Sequence, residues 1–118
     1  MLCGSKQLRY YQKVDGTKPF LEWLLRLQNP KTRSVLHNRL ERFAEGNPGY
    51  WRSVGQGVFE LKISWGPGYR IYFGCDGPHV IILLIGGDKS TQTRDIHEAH
   101  DFWQDYQRRT YGTQRQLP

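Results

Sequence analysis

The fold of this chain is decided by residues 58–73, which read VFELKISWGPGYRIYF. Side chains alternate between an apolar and a more polar face from Val58 to Trp65 and again from Tyr69 to Phe73, the pattern of two half-buried β-strands. The Gly-Pro-Gly run between them predicts a turn. The stretch therefore predicts a β-hairpin with one apolar face and one face that carries charged residues.

The alternation also constrains the register of this hairpin. Residues directly opposite each other in an antiparallel pair share a face, so the symmetric register pairs Lys62 with Arg70 and Glu60 with Tyr72. It leaves an odd-length loop in which Gly68 can adopt a positive φ. Two adjacent cations cost up to roughly 1 kcal/mol unless an anion, such as Glu60 or a phosphate, offsets the repulsion. The pair indicates an anion-binding site, and a solvated strand face neutralised by Glu60 is the open alternative.

Upstream of the hairpin, the sequence predicts one strand and two short helices. Residues 6–14 are rich in β-forming side chains, and Asp15-Gly16 ends the strand. Each helix is opened by a capping residue shortly before a proline, Thr17 for the first and Asn29 for the second. Apolar residues recur at helical spacing at Phe20, Trp23, Leu24, Leu27, Leu36, Leu40 and Phe43. The short link between the helices predicts an antiparallel helical hairpin.

Downstream, residues 46–51 (GNPGYW) are interpreted as a break between elements, and residues 80–85 (VIILLI) predict a strand covered on both faces. Residues 91–107 predict a helix with one apolar stripe, and the tail after about 108 is expected to fray. The order β-α-α-β-β-β-α predicts an α+β domain: a small, mostly antiparallel sheet with an N-terminal helical hairpin and a C-terminal helix.

Length and composition narrow the class of protein. The 118 residues fit one domain spanning 1–118, and the two cysteines show neither metal spacing nor disulfide density. No apolar window reaches the roughly 18–20 residues of a membrane span, and no signal peptide is recognised, so we expect no membrane partner and a cytoplasmic location. The net charge of +6 favours a polyanionic or acidic partner.

Basic and aromatic residues interleave on the second helix and the segment after it. Five of these residues are candidates for binding RNA: Arg33, Arg39, Arg42, Tyr50 and Arg52. The alternative is a solvated outer helix face followed by a loop that buried aromatics anchor. Two further patterns are interpreted as structural: His97 and His100 as helix-surface polarity rather than metal ligands, and Gly86-Gly87 as a tight strand exit rather than a phosphate-binding loop.

Four strings of this sequence resemble HigB-like members of the RelE superfamily, which are toxins of bacterial toxin–antitoxin modules, in the branch described as phage-derived or addiction module killer proteins. The strings are PFLEWL at 19–24, FELK at 59–62, GPGYRIYF at 66–73 and LLIGGDKSTQ at 83–92. The resemblance covers roughly residues 6–107 and implies the RelE-like fold.

The resemblance also implies an activity: metal-independent, ribosome-dependent cleavage of mRNA that inhibits translation, with no cofactor, and inhibition by a cognate antitoxin, a helix-turn-helix protein. In such cleavage the RNA's 2′-hydroxyl attacks the adjacent phosphate, and Arg and Lys side chains stabilise the developing charge. By resemblance, Arg70 is the clamp on the phosphate and Lys62 a residue for positioning or base chemistry. Lys89 is a second phosphate contact, and Tyr72 stacks a base or donates a hydrogen bond.

Two alternatives keep the fold and change the function. A ParE-like inhibitor of DNA gyrase would signal DNA damage without cutting mRNA. A non-catalytic binding module would use its basic face only to hold a partner protein.

Overall fold

The computed structural model describes residues 4–112. The elements, in chain order, are β1 (Gln7–Tyr10), α1 (Pro19–Arg26), α2 (Pro30–Ala44), β2 (Trp51–Ser53), β3 (Val58–Ile63), β4 (Tyr69–Cys75), β5 (Val80–Gly87), a 3-10 turn (Lys89–Thr91) and α3 (Gln92–Tyr111). None of the helices among these residues is long and apolar enough to cross a bilayer.

The five strands form one sheet in the order β1-β5-β4-β3-β2. Strand β1 runs parallel to β5, and all other neighbours are antiparallel. The predicted α+β class and mostly antiparallel sheet are confirmed. One element was missed: the segment interpreted as a break contains the start of β2, whose residues Trp51–Ser53 pair with Phe59–Leu61 at the edge of the sheet.

The predicted register of the central hairpin is confirmed. Lys62 lies opposite Arg70 and Glu60 lies opposite Tyr72, and the last pair before the turn joins Ile63 to Tyr69. The loop at 64–68 is therefore odd in length. Gly68 adopts a φ of +83°, a conformation that L side chains rarely take.

Each face of the sheet packs into its own hydrophobic core. Helices α1 and α2, joined by residues 27–29, cover one face, with a core of Phe20, Leu36, Phe43, Leu61, Ile63, Ile71, Phe73, Ile81 and Leu83. Helix α3 covers the other face, with a core of Tyr11, Val58, Tyr72, Ile82, Leu84, Ala99 and Trp103. Strand β5 contributes to both cores, as its run of apolar residues predicts.

The glycine pair at 86 and 87 forms the end of β5, consistent with the predicted strand exit, and it also serves close packing. A Cβ at Gly86 would overlap the ring of Trp23 from α1, and a Cβ at Gly87 would overlap the carboxyl of Asp95 from α3. These two glycines therefore allow helices on opposite faces to approach the end of the same strand.

The helix ends follow the sequence signals in part. The Asn29 side chain accepts a hydrogen bond from the amide of Lys31, which confirms the cap of α2. The cap predicted at Thr17 is wrong: α1 starts after Lys18, which makes no side-chain cap, and the amide of Thr17 donates instead to Asp15. Helix α3 continues to Tyr111, past the expected fraying point, and the rest of the predicted tail, 113–118, lies outside the described residues.

Candidate functional site

Arg70 is a buried cation with unused hydrogen-bonding capacity. It lies near the start of β4 and is only 7% exposed. Its Nη1 donates to the carbonyl of Gly68 at 2.9 Å, while its buried Nε has no hydrogen-bond partner. A guanidinium carries five N–H donors, and within residues 4–112 only one is accepted. The strand thus holds a cation with unused donors; its buried Nε faces Glu60, so a ligand can reach at most the N–H groups of the two terminal nitrogens.

Glu60 on β3 is the anion that balances this cation. Its carboxylate is 2% exposed and accepts from Arg52 Nε at 2.8 Å, from the Tyr72 hydroxyl at 2.9 Å and from Gln92 Nε2 at 2.9 Å. Its Oε2 lies 3.7 Å from Arg70 Nε, which is an ion pair but not a hydrogen bond. One carboxylate therefore joins β2, β3, β4 and the start of α3.

The protonation of this network follows from its contacts. Burial alone would raise the pKa of Glu60, but hydrogen bonds from Arg52, Gln92 and Tyr72 outweigh it and hold the pKa below its ordinary value. Burial and the bond to Glu60 raise the pKa of Tyr72 far above its ordinary value. Glu60 is thus a carboxylate and Tyr72 a protonated donor at neutral pH.

An open cleft of about 350 Å³ lies next to this network. Its lining consists of Lys62, Ser64, Trp65, Gly66, Pro67, Gly68, Arg70 and Lys89, and we call it the Arg70 cleft. The lining includes three cations and no carboxylate. The loop that forms one wall is held in place because Trp65 Nε1 donates to Thr32 on α2 at 3.2 Å. The arrangement suits a phosphate-sized anion.

The structure brings together three of the four residues predicted to take part in the cleavage reaction. Lys62, Arg70 and Lys89 line the Arg70 cleft. Lys62 and Lys89 are exposed and form no ion pair within the described part of the chain. Tyr72 does not line the cleft, and its ring is fully buried beneath α3. The stacking role predicted for Tyr72 is wrong for this conformation, because no face of the ring is accessible; its hydroxyl positions Glu60 instead.

The five predicted RNA-binding residues lie in three different parts of the structure. Arg39, Arg42 and Tyr50 line a second cleft beside the first. Arg33 is exposed on α2 but lines neither cleft. Arg52, half-exposed on β2, pairs with Glu60 and so belongs to the carboxylate network.

The paired histidines of α3 do different things. His100 places Nε2 2.9 Å from the carbonyl of Val54, and His97 is exposed. Among residues 4–112 no group of three or more His, Cys, Asp or Glu side chains is arranged to hold a metal ion.

Two polar residues of the site were missed in the sequence. Gln92, the first residue of α3, binds Glu60, and Asp95 one turn later lies 2% exposed against Gly87, where burial raises its pKa. Gln92 ends the string GGDKSTQ, which was the available signal for it, and Asp95 lies three residues further along the chain. A periodicity argument does not find them, because it assigns polar helix residues to solvent.

A further cleft of about 420 Å³ separates α1 from α3, and its lining mixes charges of both signs. The charged residues there are Lys13, Glu22, Arg26, Asp88, Arg94, Asp95 and Glu98. Four carboxylates repel a polyanion, so this cleft is the weaker candidate for RNA.

The lowered pKa of Glu60 predicts a specific pH dependence of stability. Its contribution is complete above the ordinary carboxyl pKa of 4.5 and is lost as the pH falls through the lower value of the folded state. Wild type and a Glu60→Gln variant should therefore differ most in unfolding free energy near pH 7, and the difference should shrink below about pH 4.5. Urea unfolding at a series of pH values measures this difference in unfolding free energy. A difference that stays the same at every pH would contradict the lowered pKa of Glu60.

Comparison with known proteins adds two relationships. Residues 22–101 match the model of a family described as phage derived protein Gp49-like (DUF891). An uncharacterised protein of Haemophilus influenzae is 41% identical over 87 residues, which is 74% of this chain and 88% of that protein. The matched residues include Lys62, Arg70 and Lys89, together with the carboxylate network around them.

Proposed function

Since the chain belongs to the phage-derived Gp49-like family, we propose that it is the toxin of a type II toxin–antitoxin module and that it inhibits translation by cutting mRNA. In this proposal the whole chain is one RelE/HigB-like toxin domain that works in the cytoplasm on mRNA at the ribosome. A cognate antitoxin, expected to be a helix-turn-helix protein, binds and inhibits it.

The observation that carries the proposal is the composition of the Arg70 cleft. Three cationic side chains and no carboxylate line it, and one of them is a buried arginine with unused donors. Cleavage of RNA by its own 2′-hydroxyl builds negative charge on the phosphate oxygens, and pre-positioned cations stabilise that charge. The Arg70 side chain does not have to move as the transition state forms, because Gly68 and Glu60 already hold its guanidinium in place.

The reaction proceeds as follows in this proposal. The 2′-oxygen attacks the neighbouring phosphorus and loses its proton, the bond from phosphorus to the 5′-oxygen breaks, and that oxygen takes up a proton. The products are a 2′,3′-cyclic phosphate and a 5′-hydroxyl. Arg70 binds the phosphate oxygens, and Lys62 and Lys89 flank it. The proposed reaction needs no metal ion, because the side chains of the cleft supply the positive charge.

Expression in a bacterial host tests the class of function. We expect growth arrest together with new mRNA 5′ ends mapped shortly after induction, and relief of both when the product of an adjacent gene is co-expressed. DNA-damage signalling without new mRNA ends would identify a gyrase inhibitor instead. Harmless overexpression together with tight binding to a partner protein would identify a non-catalytic module.

A further inference from the structure

A second cleft adjoins the Arg70 cleft and shares two residues with it. Its volume is about 390 Å³, and its lining consists of Val35, Asn38, Arg39, Arg42, Tyr50, Lys62, Ile63 and Ser64; we call it the Tyr50 cleft. Lys62 and Ser64 line both clefts. The two clefts therefore lie side by side between α2 and the start of β4, and neither has a carboxylate in its lining.

Helix α2 presents its cleft residues on one face. Val35, Asn38, Arg39 and Arg42 have the spacing i, i+3, i+4, i+7, which places side chains on a single stripe. Arg39 is fixed within the wall because its Nη2 donates to the carbonyl of Pro48 at 3.1 Å. Gly49 leaves the space that this guanidinium occupies, since a Cβ there would overlap it. The wall of the cleft is therefore built before any ligand enters.

The chemistry of the Tyr50 cleft differs from that of its neighbour. Tyr50 is 63% exposed, so the face of its ring is accessible. Asn38 carries an amide that both donates and accepts, and no hydrogen bond engages it within residues 4–112. An accessible aromatic face, a free amide and flanking cations are the groups that bind an unstacked base and its adjoining phosphate.

We propose that the Tyr50 cleft binds the nucleotide next to the phosphate held at Arg70, with its base stacked on Tyr50 and the edge of that base read by Asn38. The substrate is then single-stranded RNA, since a base within a duplex cannot present its face to Tyr50. Asn38 becomes a residue that determines where the RNA is cut. This inference rests on the proposed function and deepens it.

Binding of 2′-O-methyl RNA tetranucleotides tests the subsite apart from cleavage, because these probes lack the attacking hydroxyl. Four probes that differ only in the base at one position are titrated against wild type and variants. We expect Tyr50→Ala to weaken binding of all four by about 5- to 100-fold, the effect of one base–aromatic stack. Asn38→Ala should reduce the difference between the best and worst base about 5-fold or more. Asn47→Ala, an exposed asparagine outside the cleft, serves as the matched control.

The same variants in a translation reaction separate this inference from the proposed function. If RNA is cut and Asn38→Ala or Tyr50→Ala leaves the cleavage positions and rates unchanged, the subsite is wrong and the activity stands. If base-dependent binding is lost in the variants but RNA is never cut, the subsite stands and the activity is wrong. Equal binding of all four bases by wild type, or tighter binding of a duplex than of a single strand, would overturn the inference.

Discussion

Replacing Arg70 by alanine is expected to lower the rate of mRNA cleavage by about 100- to 1,000-fold, the cost of removing one donor that stabilises transition-state charge. The guanidinium is already held by Gly68 and faced by Glu60, so its donors meet the phosphate without rearrangement. Arg70→Lys should recover only part of the rate, because an ammonium cannot bind two oxygens in a fork. Single-turnover cleavage of a defined mRNA on ribosomes measures the effect.

Arg52→Ala is the matched control for this variant. Arg52 binds the same carboxylate as Arg70, at 2.8 Å, but does not line the Arg70 cleft. Its removal perturbs the ion network without removing a donor from the phosphate, so most of the rate should remain. Equal losses in the two variants would mean that Arg70 acts through the fold and not on the substrate, as would an Arg70→Ala protein that fails to unfold cooperatively in urea.

The second large effect is expected on stability, for Glu60→Ala. This change leaves Arg70 as a buried cation without a counter-charge and removes the acceptor of Tyr72 and Gln92. Removing one partner of a buried ion pair costs about 3–5 kcal/mol, part of it from buried donors that lose their partners. The free energy of unfolding in urea at pH 7 should fall by this amount.

Glu41→Ala is the control, because it removes an exposed carboxylate instead of a buried one. Glu41 is exposed on α2, where its one ion-pair partner within residues 4–112 is His37, and such surface pairs contribute about 0–1 kcal/mol. A Glu60→Ala variant that lost no more stability than Glu41→Ala would show that the buried network does not hold the sheet and α3 together.

The register of the central hairpin could be predicted because parity limits the possible pairings, and the symmetric choice about the turn selects one of them. Once Lys62 and Arg70 were assigned to one face, pairing required only that opposed residues share it, and the structure has that register. The short strand β2 was missed because its three residues follow a Gly- and Pro-rich segment and gain their strand conformation from pairing with β3. Local sequence patterns carry little information about such non-local pairing.

The burial of Arg70 and Tyr72 could not be predicted for a related reason. Alternation separates the two faces of a strand, but it does not say which helix covers the more polar face. Helix α3 covers that face and contributes Gln92 to the carboxylate, so residues interpreted as half-solvated are buried. The sequence thus identified the cations that line the Arg70 cleft, whereas the contacts that fix Arg70 depend on how α3 packs.

The arrangement also separates the residues that we propose touch the substrate from the residues that position them. Lys62, Arg70 and Lys89 line the Arg70 cleft, while Glu60 and Tyr72 lie behind it. Substitutions of the first group should change cleavage with little change in fold. Substitutions of the second group should change stability first and cleavage as a consequence.

The chemistry of the cut ends tests the central claim most directly. A defined mRNA is translated with purified ribosomes in the presence of wild type or Arg70→Ala, and the termini of the fragments are analysed. We predict a 2′,3′-cyclic phosphate and a 5′-hydroxyl at each cut made by wild type, and a 100-fold or greater loss of these ends with Arg70→Ala. Fragments with 5′-phosphate ends, or the same yield of cyclic phosphate from both proteins, would contradict it.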